Sequence, residues 1–321
     1  MVESRKLDLV SVIVITWNSE KFIEECLSSV FKQSYPQIEV IVTDNGSGDS
    51  TTQIIRSRFQ SVILIENKQN LGYCKANNIA LKSAKGTYLL FLNSDVILEN
   101  DYIEKCIDGF KTDSKIGMIT GKILRFDRIT IDSTGQFLTR SRKTKERGYG
   151  SRDDGRFDIE GRVFSVCGAS AFYRRRMIED ISYADGELFD EDFFSFHEDI
   201  DVGWRGNLHG WNGYYIPDAI AYHYRGGTAG SLFWRRYFQI AARPSEIKYH
   251  IVKNRYLSIL KNDSLGSYLR DLPFILSRDL IVFTYLLFSS PGVLALLFKN
   301  RKLFRKAMEK RSSMVKGRLA A

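Results

Sequence analysis

Cysteine and proline are scarce in this chain, and no apolar stretch precedes its first strand. The four cysteines (Cys26, Cys74, Cys106 and Cys167) lie far apart with no Cys-x-x-Cys. That spacing argues against a disulfide framework or a thiol-metal site and predicts reduced, mostly buried thiols in a cytosolic protein. Five prolines against 24 glycines, with no internal repeat, leave out low-complexity and repeat architectures. The opening Met1-Val2-Glu3-Ser4-Arg5-Lys6 is polar, so no signal peptide is expected. Net positive charge is also missing from most of the chain. The net charge is +9, but residues 299–321 hold nine basic residues against one acid, which leaves the rest at about +1. A nucleic-acid binder spreads basic residues over a folded face, so no nucleic-acid partner is expected. A basic tail beside an apolar stretch fits an anionic membrane surface.

What remains is an ordinary globular composition, 44% hydrophobic and 26% charged over 321 residues, enough for one large or two modest domains. The first 125 residues alternate strand and helix patterns, which predicts an α/β fold with a mostly parallel sheet flanked by helices. Strands are expected over 9–16, 38–42, 62–65, 87–92 and 117–124, with helices over 22–31, 51–59, 74–83 and 102–110. Residues 126–162 are polar and basic and read as a solvated hairpin or mobile loop rather than an acceptor-phosphate site. Arg174-Arg175-Arg176 follows an apolar strand, Val163 to Phe172, and reads as a surface turn. Ile200, Trp204 and Leu208 recur at helical spacing and are expected in the core, and a strand from Ile216 to Tyr222 delivers His223 at its end.

Beyond Thr228 the character changes. Phe233 to Leu260 reads as helix, and Leu280 to Phe298 contains no charge, long enough to raise a transmembrane question. Ser289-Ser290-Pro291-Gly292 interrupts it. The expectation is two short helices lying on the membrane interface, followed by the basic tail. The competing account is a helical pair packed on the catalytic domain or on a second subunit, so a homo-oligomer stays open.

The chemistry-bearing residues lie at strand ends. Asn93-Ser94-Asp95 closes an apolar run, Thr87 to Leu92, where open α/β sheets bind ligands. Later come His197-Glu198-Asp199-Ile200-Asp201 and, 24 residues after Asp199, His223. An acid, an acid pair and a histidine are the parts needed to hold a divalent metal and abstract a proton. Hard oxygen ligands with one imidazole suit Mn²⁺ or Mg²⁺. A carboxylate opening a helix is stabilised in its ionised form, the form a base must have. That suits Asp199 or the neighbouring Glu198 as the base, and leaves Asp201 as a simple helix cap.

Together with Val10 to Asn18 and Thr43-Asp44-Asn45-Gly46-Ser47-Gly48-Asp49-Ser50, these motifs resemble the inverting nucleotide-sugar glycosyltransferases of family 2, of GT-A fold, over roughly residues 8–228. Lys253-Asn254-Arg255-Tyr256 and the hydrophobic C-terminus resemble the rhamnosyltransferase-like branch. The resemblance implies a nucleotide-sugar-binding and catalytic domain over 1–228 and a helical region over 229–321. It implies Asp95 and His223 as metal ligands, Asn93 in the first slot of the family's Asp-x-Asp motif, and Asp199 facing the acceptor. Asp44 would accept from the nucleotide base, with Thr16, Asn18 and Asn45 in the same pocket. Gly72, in Asn70-Leu71-Gly72-Tyr73, would allow close approach of the ribose and diphosphate. Arg225 or the glycines after it would close over the diphosphate. The implied activity is transfer of a sugar, dTDP-L-rhamnose first among donors, to a lipid-linked diphosphate saccharide or growing polysaccharide at the inner face of the cell membrane. UDP-hexose or UDP-galactofuranose donors are the alternatives. A sugar-nucleotidyltransferase is disfavoured, because Thr16 to Lys21 holds no Gly-rich, Arg-Lys-containing loop, and a non-catalytic scaffold would not need Asp95, Asp199 and His223 together.

Overall fold

The computed structural model describes residues 7–225 and 243–320, with side chains described to residue 314. The β-branched run Val10–Thr16 forms β1, fully buried at all but one position, as a strand covered on both faces must be. Strands β2 (Ile38–Asp44), β3 (Ile63–Glu66) and β4 (Tyr88–Asn93) join it in parallel, in the order β3-β2-β1-β4. Helices α1 (Ile23–Phe31), α2 (Thr51–Arg58) and α3 (Tyr73–Leu81) make the crossovers, within a residue or two of the expected spans. The chain returns from β1 to β2 on one side while β4 lies on the other, so the carboxyl ends of β1 and β4 flank a topological switch point.

Beyond β4 the sheet is mixed. After β5 (Val96–Leu98) and α4 (Tyr102–Thr112) come β6 (Ile116–Arg125) and the short β7 (Ile131–Ser133). Next come β8 (Gln136–Leu138), β9 (Thr144–Glu146), β10 (Gly161–Val163), β11 (Ser170–Arg174), α5 (Arg175–Ile181), α6 (Glu198–Leu208) and β12 (Asn212–His223). β11 runs antiparallel to both β4 and β6, and β12 runs parallel to β6. Register along β6–β12 jumps between Ile216 and Ile220, where Pro217 cannot donate to the ladder. The bulge presses the Ala219 carbonyl onto Gly121, where a Cβ would lie 2.0 Å from that oxygen, so only glycine fits.

Several expectations change here. Residues 126–162 do contain a hairpin, β8 paired with β9, but they are not simply solvated: β7 pairs with β6, and Asp132, Gln136 and Arg142 are buried. Arg142 forms ion pairs with Asp263 at 2.6 Å and Asp271 at 2.8 Å, which clasp the hairpin to the C-terminal helices. Arg174 and Arg175 are structural too. Arg174 donates to the carbonyls of Ile116 and Phe110, and Arg175 to those of Gly86 and Ala84; Arg176 alone is exposed. Ile200 and Trp204 are core, whereas Leu208 is 39% exposed at the helix end.

The C-terminal helices are α7 (Ser245–Asn262), α8 (Leu265–Ser289), α9 (Pro291–Lys299) and α10 (Lys302–Ala320). The break falls at Ser290, with Pro291 opening α9 at a position that needs no N–H. The first helix is not short, however. It runs 25 residues, is long and apolar enough to cross a membrane, and has only 11% of its most apolar window buried. Leu257 of α7 and Ala307 of α10 lie in the same apolar cluster as Phe189, Phe193 and Val202, so these helices complete one face of the catalytic core. The expected boundary at 228/229, the glycines after Arg225 and the first part of the expected 233–260 helix lie outside the described residues.

Candidate functional site

A cleft of about 720 Å³ opens over the carboxyl ends of β1 and β4. Thr16 and Asn18 line it from β1, Asn93 and Asp95 from β4, and Asn45 and Gly72 from the loops beside them. The opposite wall is Phe194 to Phe196 with Glu246, Ile247 and His250 of α7, residues that the sequence patterns did not single out.

Asp44 stands behind this lining, 2% exposed. It accepts from the Thr16 hydroxyl at 3.1 Å, the amides of Gly46 and Ser47 at 3.1 and 2.9 Å, and the Ser47 hydroxyl at 2.5 Å. Its carboxylate thus shapes the turn after β2, on which Asn18 rests by accepting from the Gly48 amide at 2.8 Å. Asn45 knits the neighbouring loop, accepting from Asn67 and Leu71 and donating to Asn70 and Gly72. Gly72, at φ +83°, is required by a protein contact. A Cβ there would lie 2.5 Å from the Phe194 ring and 2.7 Å from its carbonyl, which itself accepts from the Cys74 amide.

Residues 95 and 223 meet because β5 and β12 pair antiparallel, with His223 opposite Val96. His223 Nε2 lies 3.3 Å from Asp95 Oδ1, and its Nδ1 lies 2.9 Å from Asp132 Oδ2. Burial opposes a charge on this imidazole, but the carboxylates of Asp132 and Asp95 override it and push its pKa up to about 9. Asp132 also holds the Arg225 guanidinium, which stacks over the Tyr149 ring at 4.8 Å. Arg225 therefore braces the histidine's partner. Asp132, 0% exposed, lies in the short buried strand Ile131-Asp132-Ser133, which no sequence period marks.

The pair fits a divalent ion. A hard carboxylate oxygen and an imidazole nitrogen converge, and the imidazole's other nitrogen is fixed by a carboxylate, the usual support for a metal-bound histidine. Loading would displace the proton shared with Asp95. Among the described residues no group of three or more His, Cys, Asp or Glu side chains is arranged for a metal. The ion would complete its shell from water and substrate oxygens, as Mg²⁺ commonly does.

The acid pair is delivered by a contorted segment. Phe194, Phe196 and His197 have φ of 66°, 73° and 68°, conformations that side-chain-bearing residues seldom adopt. Such backbone persists where its surroundings over-determine it. Here the buried Asn254 amide, on α7, donates to the carbonyls of Phe193, Ser195 and Phe196 at 3.1, 2.7 and 2.7 Å, and Lys253 donates to the Asp192 carbonyl. Glu198 and Asp199 then open α6, outside the immediate lining of the cleft. Tyr73, in the cleft wall, stands between, with its pKa driven up by burial and by the charges of Glu198 and Asp199.

Asp199 Oδ2 accepts from the Gln136 side chain at 2.7 Å and the Gly168 amide at 3.0 Å, while Oδ1 accepts from the Ile200 amide at 2.8 Å. The helix start does not win the electrostatic contest at this position. Burial raises the Asp199 pKa despite these hydrogen bonds, and burial with the adjacent Asp199 charge raises that of Glu198. A third acid, Glu146 of β9, joins them; burial and the Asp199 charge push it up to about 7. Asp201 is not a cap. It is 1% exposed and pairs with Arg205 and Lys261, both at 3.0 Å. All four cysteines are unpaired and buried, as their spacing predicts.

The glycosyl transferase family 2 domain is matched over residues 11–182. Poly-beta-1,6-N-acetyl-D-glucosamine synthase of Staphylococcus epidermidis is 23% identical over 269 residues, covering 83% of this chain and 61% of its own length. The chain thus spans about three fifths of that relative. Among solved structures, S. aureus TarS 1-349 in complex with UDP-GlcNAc superposes with a TM-score of 0.56 at 21% identity, covering 93% of this chain and 79% of that one. The mannosyltransferase PcManGT from Pyrobaculum calidifontis, in complex with GDP-Man and Mn²⁺, gives a TM-score of 0.56 at 16% identity, covering 98% and 87%. The matched domain takes in more than half of the chain, including β2, β4, nearly all of β1 and the side of the cleft they carry, and on that ground the protein belongs to glycosyl transferase family 2.

Proposed function

We propose that the protein is a metal-dependent, inverting glycosyltransferase that moves a sugar from a pyrimidine nucleotide sugar to a hydroxyl of a lipid-linked saccharide or growing surface polysaccharide. The observation that carries this reading is the Asp95–His223 pair, closed to 3.3 Å beside the cleft over the sheet's switch point. Thr16, Asn18 and Asn45 hold the nucleoside end, with Asp44 setting the turn beneath it. Asp95 and His223 would hold Mn²⁺ or Mg²⁺, which would supply charge neutralisation at the diphosphate. Asp199 takes the proton from the acceptor hydroxyl as the carbon–oxygen bond to the sugar forms and the bond to the diphosphate breaks. Glu198, kept protonated by burial beside Asp199, leaves that role to its neighbour. The sequence likeness to the rhamnosyltransferase-like branch favours L-rhamnose from dTDP-L-rhamnose; the similarity to a poly-beta-1,6-N-acetyl-D-glucosamine synthase and to TarS in complex with UDP-GlcNAc favours UDP-GlcNAc as the second donor. Work on a lipid-linked acceptor would place the protein on the cytoplasmic face of the membrane.

The test measures thermal stabilisation by, and nucleoside diphosphate release from, dTDP-L-rhamnose and UDP-GlcNAc with Mn²⁺ or with chelator. A bound donor raises stability by mass action. Asp95→Ala should remove the metal response. Asp199→Asn should keep nucleotide binding and lose roughly 10²–10⁴-fold in turnover. Wild-type turnover in both variants, or pyrophosphate as the product, overturns the reading.

A further inference from the structure

Gln136 sits on β8, 3% exposed, between two acids. Its side-chain nitrogen lies 2.7 Å from Glu146 Oε1 and 2.7 Å from Asp199 Oδ2. An amide NH₂ has two hydrogens, so each carboxylate receives one; the reversed amide would set its oxygen against two acids. The residue cannot drift. Its backbone amide donates to the Ser165 carbonyl at 2.9 Å, and its carbonyl accepts from the Phe164 amide at 3.0 Å. The Ser165 hydroxyl in turn donates to the Asp199 carbonyl at 2.7 Å. On the far side, Glu146 is held by the Ser133 hydroxyl. The consequence falls on Asp199. Oδ2 is filled by Gln136 and Gly168, whereas Oδ1 accepts the Ile200 amide and, among the described residues, no side chain, and so keeps a lone pair for a proton.

We propose that Gln136, tethered by Glu146, is the positioning residue of the acid pair, turning Asp199 so that Oδ1 faces the reacting hydroxyl and coupling the ionisation of Asp199 to that of Glu146. This rests on Asp199 as the base. It gives the 126–162 segment a role beyond packing: the hairpin carries the support for both halves of the site, Asp132 for His223 and Gln136 for Asp199.

The charges around Asp199 fix the sign of the test. Glu198 precedes it on α6, Glu146 faces it from β9, Tyr73 from α3, Tyr173 from β11 and Cys167 from the turn before β11, while Arg225 acts on Glu146. Loss of the Gln136 donor removes a hydrogen bond to the ionised form, so the Asp199 titration must move up. Glu146 is raised by the Asp199 charge, so loss of that charge must move the Glu146 titration down.

Two measurements decide, on the full chain. The first is carboxyl ¹³C titration of labelled protein, with the Asp199 signal assigned by its loss in Asp199→Asn. The second is the pH profile of nucleoside diphosphate release from dTDP-L-rhamnose and UDP-GlcNAc with Mn²⁺. Gln136→Leu should raise the Asp199 midpoint and lower kcat about 10–100-fold, the range of such supporting contacts, with KM for the nucleotide sugar nearly unchanged. Asp199→Asn should lower the Glu146 midpoint, that signal being assigned by its loss in Glu146→Gln. An Asp199 midpoint unmoved or lowered in Gln136→Leu, or a Glu146 midpoint unmoved or raised in Asp199→Asn, overturns the proposal. If Gln136→Leu fails to fold, the direction of the Glu146 shift in Asp199→Asn decides alone. Full turnover in Asp199→Asn sinks the base assignment, while the titrations still report on the Gln136 contact.

Discussion

Lys261 shows how far one buried side chain reaches. It is 0% exposed on its side chain, and its ammonium lies 2.5 Å from Asp190, 3.0 Å from Asp201 and 3.0 Å from the Tyr183 hydroxyl. The network joins α7 to the start of α6. Lys261→Met keeps length and volume but leaves Asp190 with Lys310 and Asp201 with Arg205 as their remaining cationic partners among the described residues. Breaking a buried pair from one side costs roughly 3–5 kcal/mol; with a partner left to each acid, about 3 kcal/mol is expected in urea unfolding at pH 7. The sign with pH follows from the shifts. Asp190 and Asp201 titrate below 3.8 in the fold, so their stabilisation is present above pH 4 and lost as pH falls through the folded values. Lys261 is shifted up, so its share is lost only in strong alkali. The gap between wild type and variant should narrow at pH 3; an equal gap at both pH values refutes the network account. Asp201 was misread because a carboxylate at a helix start looks the same whether it caps the helix or meets a lysine 60 positions later. Asp95 and His223 were legible because each ends an apolar strand, a pattern carried by neighbours in sequence.

At the scale of elements, the readable parts are those whose periodicity outlasts noise. β1, β2 and β4 are apolar runs of six or seven residues, and their bounds were found nearly to the residue. β7, β8 and β9 have three residues each, amid arginines and lysines, too short for any period to show. The start of α8 was missed because Arg270, Asp271, Arg278 and Asp279 break its apolar pattern, and their partners lie elsewhere: Arg140 and Arg142 hold Asp271, and Arg255 holds Asp279. The clearest coupling between elements is α7 to the loop before α6. Asn254→Ala would leave the carbonyls of Phe193, Ser195 and Phe196 without that donor, an expected loss of about 1–3 kcal/mol. The three positive-φ residues would then relax and move Glu198 and Asp199. Turnover per folded molecule, with the folded fraction taken from circular dichroism, should fall at least tenfold. A fall that only tracks the folded fraction would make Asn254 a packing residue and nothing more.

For the whole molecule the open matter is what covers α8 and α9. The basic tail is not all available to a membrane. Lys306 pairs with Asp192 at 2.9 Å, Lys310 with Asp190 at 2.6 Å, and Arg311 donates to the Leu260 and Asp263 carbonyls. Lys299, Arg301, Lys302 and Arg305 stay exposed at the α9–α10 corner. On α8, Leu280 and Ile281 are 70% exposed and Phe288 82%. An apolar face rimmed by cations matches an anionic bilayer surface, where each basic residue adds about 1 kcal/mol and each buried large apolar side chain about 1.5–3 kcal/mol. Truncation before α8 would not test this, because Ala307 and Lys310 belong to the catalytic core and its ion pairs. Substitution of the exposed face does. Leu280→Glu with Ile281→Glu and Phe288→Glu should preserve nucleotide binding and cut co-sedimentation with phosphatidylserine vesicles at least tenfold. High salt should weaken the wild type's binding only in part, since screening removes the charge contribution and leaves the apolar one. Unchanged sedimentation of the triple variant rules out membrane docking by this face. If the variant instead changes mass in solution while vesicle binding stays constant, α8 is the contact between copies of the chain.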